Sequence, residues 1–108
     1  MVSGALRAPD HGGLIPWRLI QFSDGQRESL ATLFEQEKRR RNPSASESDL
    51  ARAREHATRV PTVVAFVIAP IGDSQVPDHE QLLSAGAALG NFLFAAHALG
   101  YGAIILSG

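Results

Sequence analysis

Side chains able to do acid–base, metal or nucleophilic chemistry are sparse in this chain: four histidines, eleven carboxylates and no cysteine. Without cysteine there is no disulfide, no thiolate metal site and no thiol nucleophile. His79 and Glu80 are adjacent, but His97 follows eighteen residues later, which is no metal-ligand spacing on a helix; no metal is expected. His97 lies in an apolar stretch and reads as a hydrogen-bonded core residue. His56 lies in a polar one and reads as solvated. Gly-x-Gly-x-x-Gly, phosphate-loop and Gly-x-Ser-x-Gly patterns are absent, which removes the standard nucleotide and hydrolase signatures. What remains is Arg7-Ala8-Pro9-Asp10-His11-Gly12-Gly13-Leu14-Ile15-Pro16-Trp17, a Gly-rich loop with one cation, one carboxylate and one imidazole within five residues. Such a loop can line a polar cofactor site, and it can equally be a turn pinned by Asp10.

The elements that must position this loop follow from hydrophobic pattern. Residues 1–15 read as a loop, with a helix end at Ala5 to Arg7 as its one regular feature. Trp17 to Phe22 has strand composition, with Trp17, Leu19 and Gln21 on one face. Ser23 and Gln26 are spaced as a capping box, so a helix should run from there to about Arg40 with Leu30, Leu33 and Phe34 facing the core. Lys38-Arg39-Arg40-Arg41 is the one charge run; it reads as cations complementing a helix C-terminus rather than as a nucleic-acid contact. Asn42-Pro43-Ser44 breaks the helix. A second helix, with Ser46 and Asp49 as a cap pair, runs to about Thr58, and its polar surface predicts an exposed, mobile excursion. Thr62 to Ala69 is an apolar run expected as a central strand buried on both faces.

From Gln81 to Leu99 there is neither proline nor charge, and apolar residues occur on every side of the helical wheel, which predicts a buried helix. Small residues recur four apart (Ser84 with Ala88, Gly86 with Gly90, Ala87 with Asn91) and would admit another backbone closely, from a second copy of the chain among other sources. Asn91, His97 and the excess of Ala and Gly argue against a membrane span. Gly100 should end the helix, and Ala103 to Leu106 reads as a short buried strand. The sum is one layered α+β domain over residues 1–108, a small sheet against helices. A net charge of −1 gives no reason to expect nucleic acid or an anionic membrane as partner. No secretory signal is visible in Met1 to Leu14, so the cytoplasm is the default compartment.

The succession RAPDHGGLIPWRLIQF, VPTVVAFVIA and VPDHEQLLSAGAALGNFLFAAHALGYGAIILSG resembles the flavin-dependent nitroreductase family, in its small branch with an Ala-Pro-Asp-His loop. The resemblance covers nearly the whole chain in order. It implies the nitroreductase fold, with a small mixed sheet packed on helices and residues 81–99 as a long central dimer helix. It further implies an intertwined homodimer holding FMN between subunits, with Arg7 and His11 on the flavin; a cation at the pyrimidine end of the ring stabilises the negative charge of the reduced form. Ile105, Leu106 and Ser107 match the flavin-contacting strand end, and Ala95, Ala96, His97, Ala98, Leu99 and Gly100 match the nicotinamide-cofactor stretch. The implied reaction is ping-pong hydride transfer from NADH or NADPH through FMN to a nitroaromatic, quinone or similar small-molecule acceptor. No catalytic side chain is needed, because the cofactor does the chemistry. Family members also carry an N-terminal Arg-Arg-Ser type segment for the FMN phosphate and further elements after the last strand, none of which is in these 108 residues. In this branch an aromatic and a basic residue often stand where this chain has Ile105 and Leu106. The alternative expectation is therefore a truncated, non-catalytic dimerisation or ligand-binding module derived from the same fold.

Overall fold

A computed structural model describes residues 1–106. The chain order is α1 (Val2–Leu6), a 3-10 turn (His11–Gly13), β1 (Trp17–Gln21), α2 (Asp24–Arg41), α3 (Glu47–Thr58), β2 (Val64–Ile68) and α4 (Asp78–Ala98). The class is α+β, as the composition of the segments predicts. Two compact units form, one from Met1–Leu19 with the segment starting at Phe66, the other from Ile20–Ala65.

In the first unit α4 is the scaffold. Its buried side chains are Gln81, Ser84, Ala85, Ala88 and Ala96, a stripe of small residues and one amide. Helix α1 packs on this stripe at close range: a Cβ added to Gly4 would stand 3.1 Å from the Ala95 Cβ and 3.3 Å from the Asn91 carbonyl oxygen. A helix of five residues is too short to be stable by itself; burial of Ala5 against α4 is what makes one here, where a loop was expected from the Gly and Pro content. Ala5, Trp17, Ala85 and Ala88 form the core, with Leu19, Phe66 and Phe92 against it. Trp17 and Phe66 stack with ring centroids 5.5 Å apart and planes 18° apart.

β1 and β2 make a two-stranded sheet. The Ala69 N–H donates to the Pro16 carbonyl at 2.8 Å, which sets an antiparallel register with Leu19 opposite Phe66 and puts the Trp17 ring on the diagonal. Along β1, Trp17 is buried, Leu19 half-buried, and Arg18, Ile20 and Gln21 exposed. The buried end of the Trp17–Leu19–Gln21 face is Trp17, and Gln21 at its other end is exposed. The expectation for β2 is corrected: Val64 and Ile68 are exposed and the three residues between them only half-buried. Among the described residues β2 pairs with β1 alone, so it is an edge strand and not the centre of a sheet. The sheet is also antiparallel throughout, not mixed, among the described residues.

Two further expectations are overturned at the C-terminal end. Ala103 to Leu106 forms no strand and is exposed, Ile104 to 80 %, because no described strand offers it a ladder. Helix α4 is buried along one stripe and not all round: Leu82, Leu83 and Phe94 are exposed, the last two to 72 % and 75 %. Among the described residues α4 is covered by α1, Trp17 and the loop after β2. The helix does end at glycine. Gly100 takes φ +88°, its N–H donates to His97, and the Tyr101 N–H donates to Ala96, the paired bonds of a Schellman motif. No helix among the described residues is long and apolar enough to cross a membrane.

The second unit is a helical hairpin. Both capping boxes form: Ser23 Oγ accepts from the Gln26 N–H while the Gln26 side chain accepts from the Ser23 N–H, and Ser46 and Asp49 repeat the pattern. The buried side of α2 consists of Arg27 and Ala31 with Leu30 and Phe34 half-buried; Leu33, expected inside, is exposed to 59 %. Arg27 takes the core position, donating to the carbonyls of Ala57, Val60 and Pro61 at and beyond the end of α3. Leu50 and Ala57 bury α3 against α2, so the segment read as an exposed excursion has an interior of its own. Arg54 joins the helices, donating to Glu28 at 3.2 Å and Glu35 at 3.0 Å. The charge run occupies the last turn of α2, as expected of cations at a helix C-terminus. His56, expected in solvent, is half-buried with Nδ1 unpaired among the described residues.

Two outcomes follow from these contacts. Gln81, 1 % exposed, donates to the carbonyls of Ile71 and Val76 and accepts from the Ile71 N–H at 2.7 Å; Q81A leaves three loop groups without partners and should lower stability by about 2–3 kcal/mol in urea denaturation. Hydrogen bonds from Arg40 and Arg41 lower the Glu37 carboxyl to about 2 from an ordinary 4.5. A depressed folded value means the pairing stabilises above the unfolded value of 4.5 and is lost as pH falls toward 2. A carbon-13 NMR titration should show Glu37 near 2, and R40A/R41A should return it to the ordinary carboxylate range.

Candidate functional site

The loop between α1 and β1 carries the candidate side chains, and its shape is set by backbone conformation. Gly12 and Gly13 take φ +80° and +61°, and Ile15 takes φ +48°. Glycine reaches this region freely, whereas a β-branched residue there is strained. The strain at Ile15 is held by Asp10, whose Oδ2 accepts from the Ile15 N–H at 2.8 Å. Residues in such conformations persist where surrounding contacts over-determine them, and they cluster at functional sites. Gly12 also sits close to the loop after β2: a Cβ there would stand 3.2 Å from Val76 Cγ2. Gln81 in turn fixes that loop to α4, so the 3-10 turn and the first turn of α4 form one corner.

At this corner His11 Nδ1 lies 2.6 Å from Glu80 Oε2. His11 is exposed and Glu80 half-exposed, so the pair faces solvent. Arg7, at the end of α1, is exposed and has no ion pair among the described residues. The cleft beside the loop is lined by Ala5, Ala8, Asp10, Ile15, Trp17 and Ser84, among others, and encloses ≈ 10 Å³, about room for one water. Arg7 and His11 lie outside this cleft, on the exposed side of the loop.

Of the residues singled out from sequence, the structure thus brings Asp10, His11 and the Gly-rich turn together, with Arg7 on the same short segment. Glu80 was not singled out as a partner; its adjacency to His79 was the one signal present, and a separation of 69 residues from His11 is invisible to local pattern. The stretch from Ala95 to Gly100 forms the last turn of α4 and its cap. Ala96 is buried and Ala95 half-buried, while His97, Ala98, Leu99 and Gly100 are exposed. His97 is therefore a surface residue, correcting its reading as a core histidine. Ile105 and Leu106 are exposed, to 55 % and 48 %, and Ser107 lies outside the described residues. No group of three or more His, Asp or Glu able to hold a metal occurs among the described residues.

The α+β architecture, the long small-residue helix and the Arg-Ala-Pro-Asp-His loop together define a class, and sequence comparison identifies it. The family profile that matches residues 1–108 is that of the Nitroreductase family, and the chain belongs to that family. It is similar to the Escherichia coli K12 protein named "Putative NAD(P)H nitroreductase YdjA", with 32 % identity over 111 residues covering 100 % of this chain and 58 % of the relative. It is also similar to a Haemophilus influenzae protein named "Putative NAD(P)H nitroreductase", with 36 % identity over 106 residues, 96 % of this chain and 56 % of the relative. The chain spans somewhat over half the length of the curated relatives it matches.

The loop geometry carries its own test. D10A removes the acceptor that holds Ile15, and should lower stability by about 1–2 kcal/mol in urea denaturation. Adding I15G to D10A should recover part of that loss, since glycine takes φ +48° without the steric penalty.

Proposed function

We propose that this chain is part of an FMN-dependent NAD(P)H oxidoreductase that reduces nitroaromatic, quinone or similar acceptors in the cytoplasm as a homodimer. The observation that carries the reading is the family match along all of residues 1–108, and the names of both relatives supply the nicotinamide reductant. FMN, when bound, would supply the redox chemistry of a ping-pong hydride transfer from NADH or NADPH to the acceptor.

The residues present fit such a group at its ring end. Arg7 offers a guanidinium with no competing anion among the described residues, and His11 offers an imidazole at a rigid corner. An unpaired cation beside a ring that gains electrons favours the gain. The chain's part is to hold and orient the ring, and Ile105, Leu106 and Ser107 are the further residues matched to flavin contact. The last turn of α4 and its cap, Ala95 to Gly100, exposed from His97 on, is the matching place for the nicotinamide cofactor. Leu82, Leu83 and Phe94, exposed on α4, are the apolar surface a second copy would cover.

The test is the visible absorption spectrum of the purified chain after addition of FMN and removal of the excess. A retained flavin spectrum is expected, with R7A weakening retention roughly tenfold, the effect of about one charge-assisted hydrogen bond. NAD(P)H oxidation in the presence of a quinone should then depend on added FMN and give parallel double-reciprocal lines. A colourless chain overturns the catalytic reading and leaves a dimerisation or ligand-binding module of the same fold.

A further inference from the structure

Among the described residues the side-chain hydrogen bond across the corner is that of His11 with Glu80, and it decides what His11 can offer a ligand. A carboxylate oxygen accepts and has no proton to give, so the short contact of 2.6 Å requires that Nδ1 carry the hydrogen. In the neutral ring Nε2 is then an acceptor. The second ring nitrogen of a histidine takes its role from the hydrogen bond made by the first, and a partner on that first nitrogen also fixes the ring's orientation. Glu80 is itself well placed to be rigid. It lies in the first turn of α4, its neighbour Gln81 is buried and hydrogen-bonded three ways, and its N–H donates to Pro77 at 3.0 Å.

We propose that Glu80 is a positioning residue for the flavin site: by accepting from Nδ1 it holds His11 in one tautomer and one orientation, leaving Nε2 as the imidazole atom that meets the ligand. The assignment rests on the flavoprotein reading above and adds to it a residue 69 positions away from the histidine. It also divides the loop's polar groups by kind. Arg7 only donates, whereas Nε2 in this tautomer accepts, so the pair matches a ring edge that carries both carbonyl oxygens and an N–H, which the pyrimidine edge of a flavin does. Asp10 is committed to the Ile15 N–H and takes no part.

Nitrogen-15 NMR of His11 in the FMN-free chain reads the tautomer directly, and FMN titration of wild type, E80Q, E80A, H11A and E80A/H11A reads the consequence. Wild type is expected to show the Nδ1–H form. E80A is expected to lose that preference and to weaken FMN binding about tenfold, equivalent to about 1.4 kcal/mol. E80Q, whose amide oxygen still accepts, should keep the tautomer and lose less affinity than E80A. E80A should have no further effect once His11 is alanine. Far-UV circular dichroism establishes that each variant is folded, and E80Q serves should E80A not be. An unchanged tautomer in E80A or, if E80A is unfolded, a wild-type His11 in the Nε2–H form overturns the proposal, as does an equal affinity loss with and without His11. FMN uptake with E80A equal to wild type overturns it while leaving the flavoprotein reading intact. A wild-type chain that takes up no FMN overturns that reading, and the ligand half of this proposal with it.

Discussion

The first turn of α4 is where the corner that carries His11 is held together. Gln81 is a long polar side chain in an otherwise apolar helix face, and burial without partners would make it costly. It is kept because its one oxygen and its nitrogen meet three backbone groups of the loop after β2. That loop then meets the Gly-rich turn through Val76, and the residue next to Gln81 meets His11. Consecutive residues of one helix therefore do opposite work, one anchoring inward and the other reaching outward. The small side chains one turn further on, Ser84, Ala85 and Ala88, give the room in which α1 and Trp17 approach.

A site built this way uses backbone more than side-chain chemistry. Three residues of the loop take left-handed conformations, one of them the unfavourable Ile15, and a carboxylate is spent on holding it. The cleft beneath admits about one water, so the loop acts as a platform whose outer side presents an arginine and an imidazole. This agrees with a family in which a cofactor carries the reaction and the protein supplies placement.

Much of this was legible in the sequence where the signal is local. Both capping boxes, the glycine that ends α4 and the cations of the last α2 turn follow from spacing alone. Where burial depends on what lies across from a segment, pattern misled. The apolar run of β2 reads as a doubly covered strand but has one partner, and α4 reads as buried all round but is covered on one side. Leu33, expected inside, is exposed while Arg27 is buried, because carbonyls at and just beyond the end of α3, which need a donor, come from residues about thirty positions later. Glu80 was hidden for the same reason: hydrogen bonds between distant segments leave no periodicity. The Arg-Ala-Pro-Asp-His loop was informative through its family resemblance, since its residue types alone fitted an ordinary turn equally well.

Arg27 has a consequence for how the helical hairpin comes apart. Its guanidinium satisfies carbonyls of Ala57, Val60 and Pro61, so the end of α3 is finished by a side chain of α2. Freeing either helix strands a buried cation on one side and unmet carbonyls on the other. Fraying of α3 from its C-terminal end is thereby tied to loss of α2, and the amides of the two helices should exchange with solvent as one cooperative block rather than turn by turn.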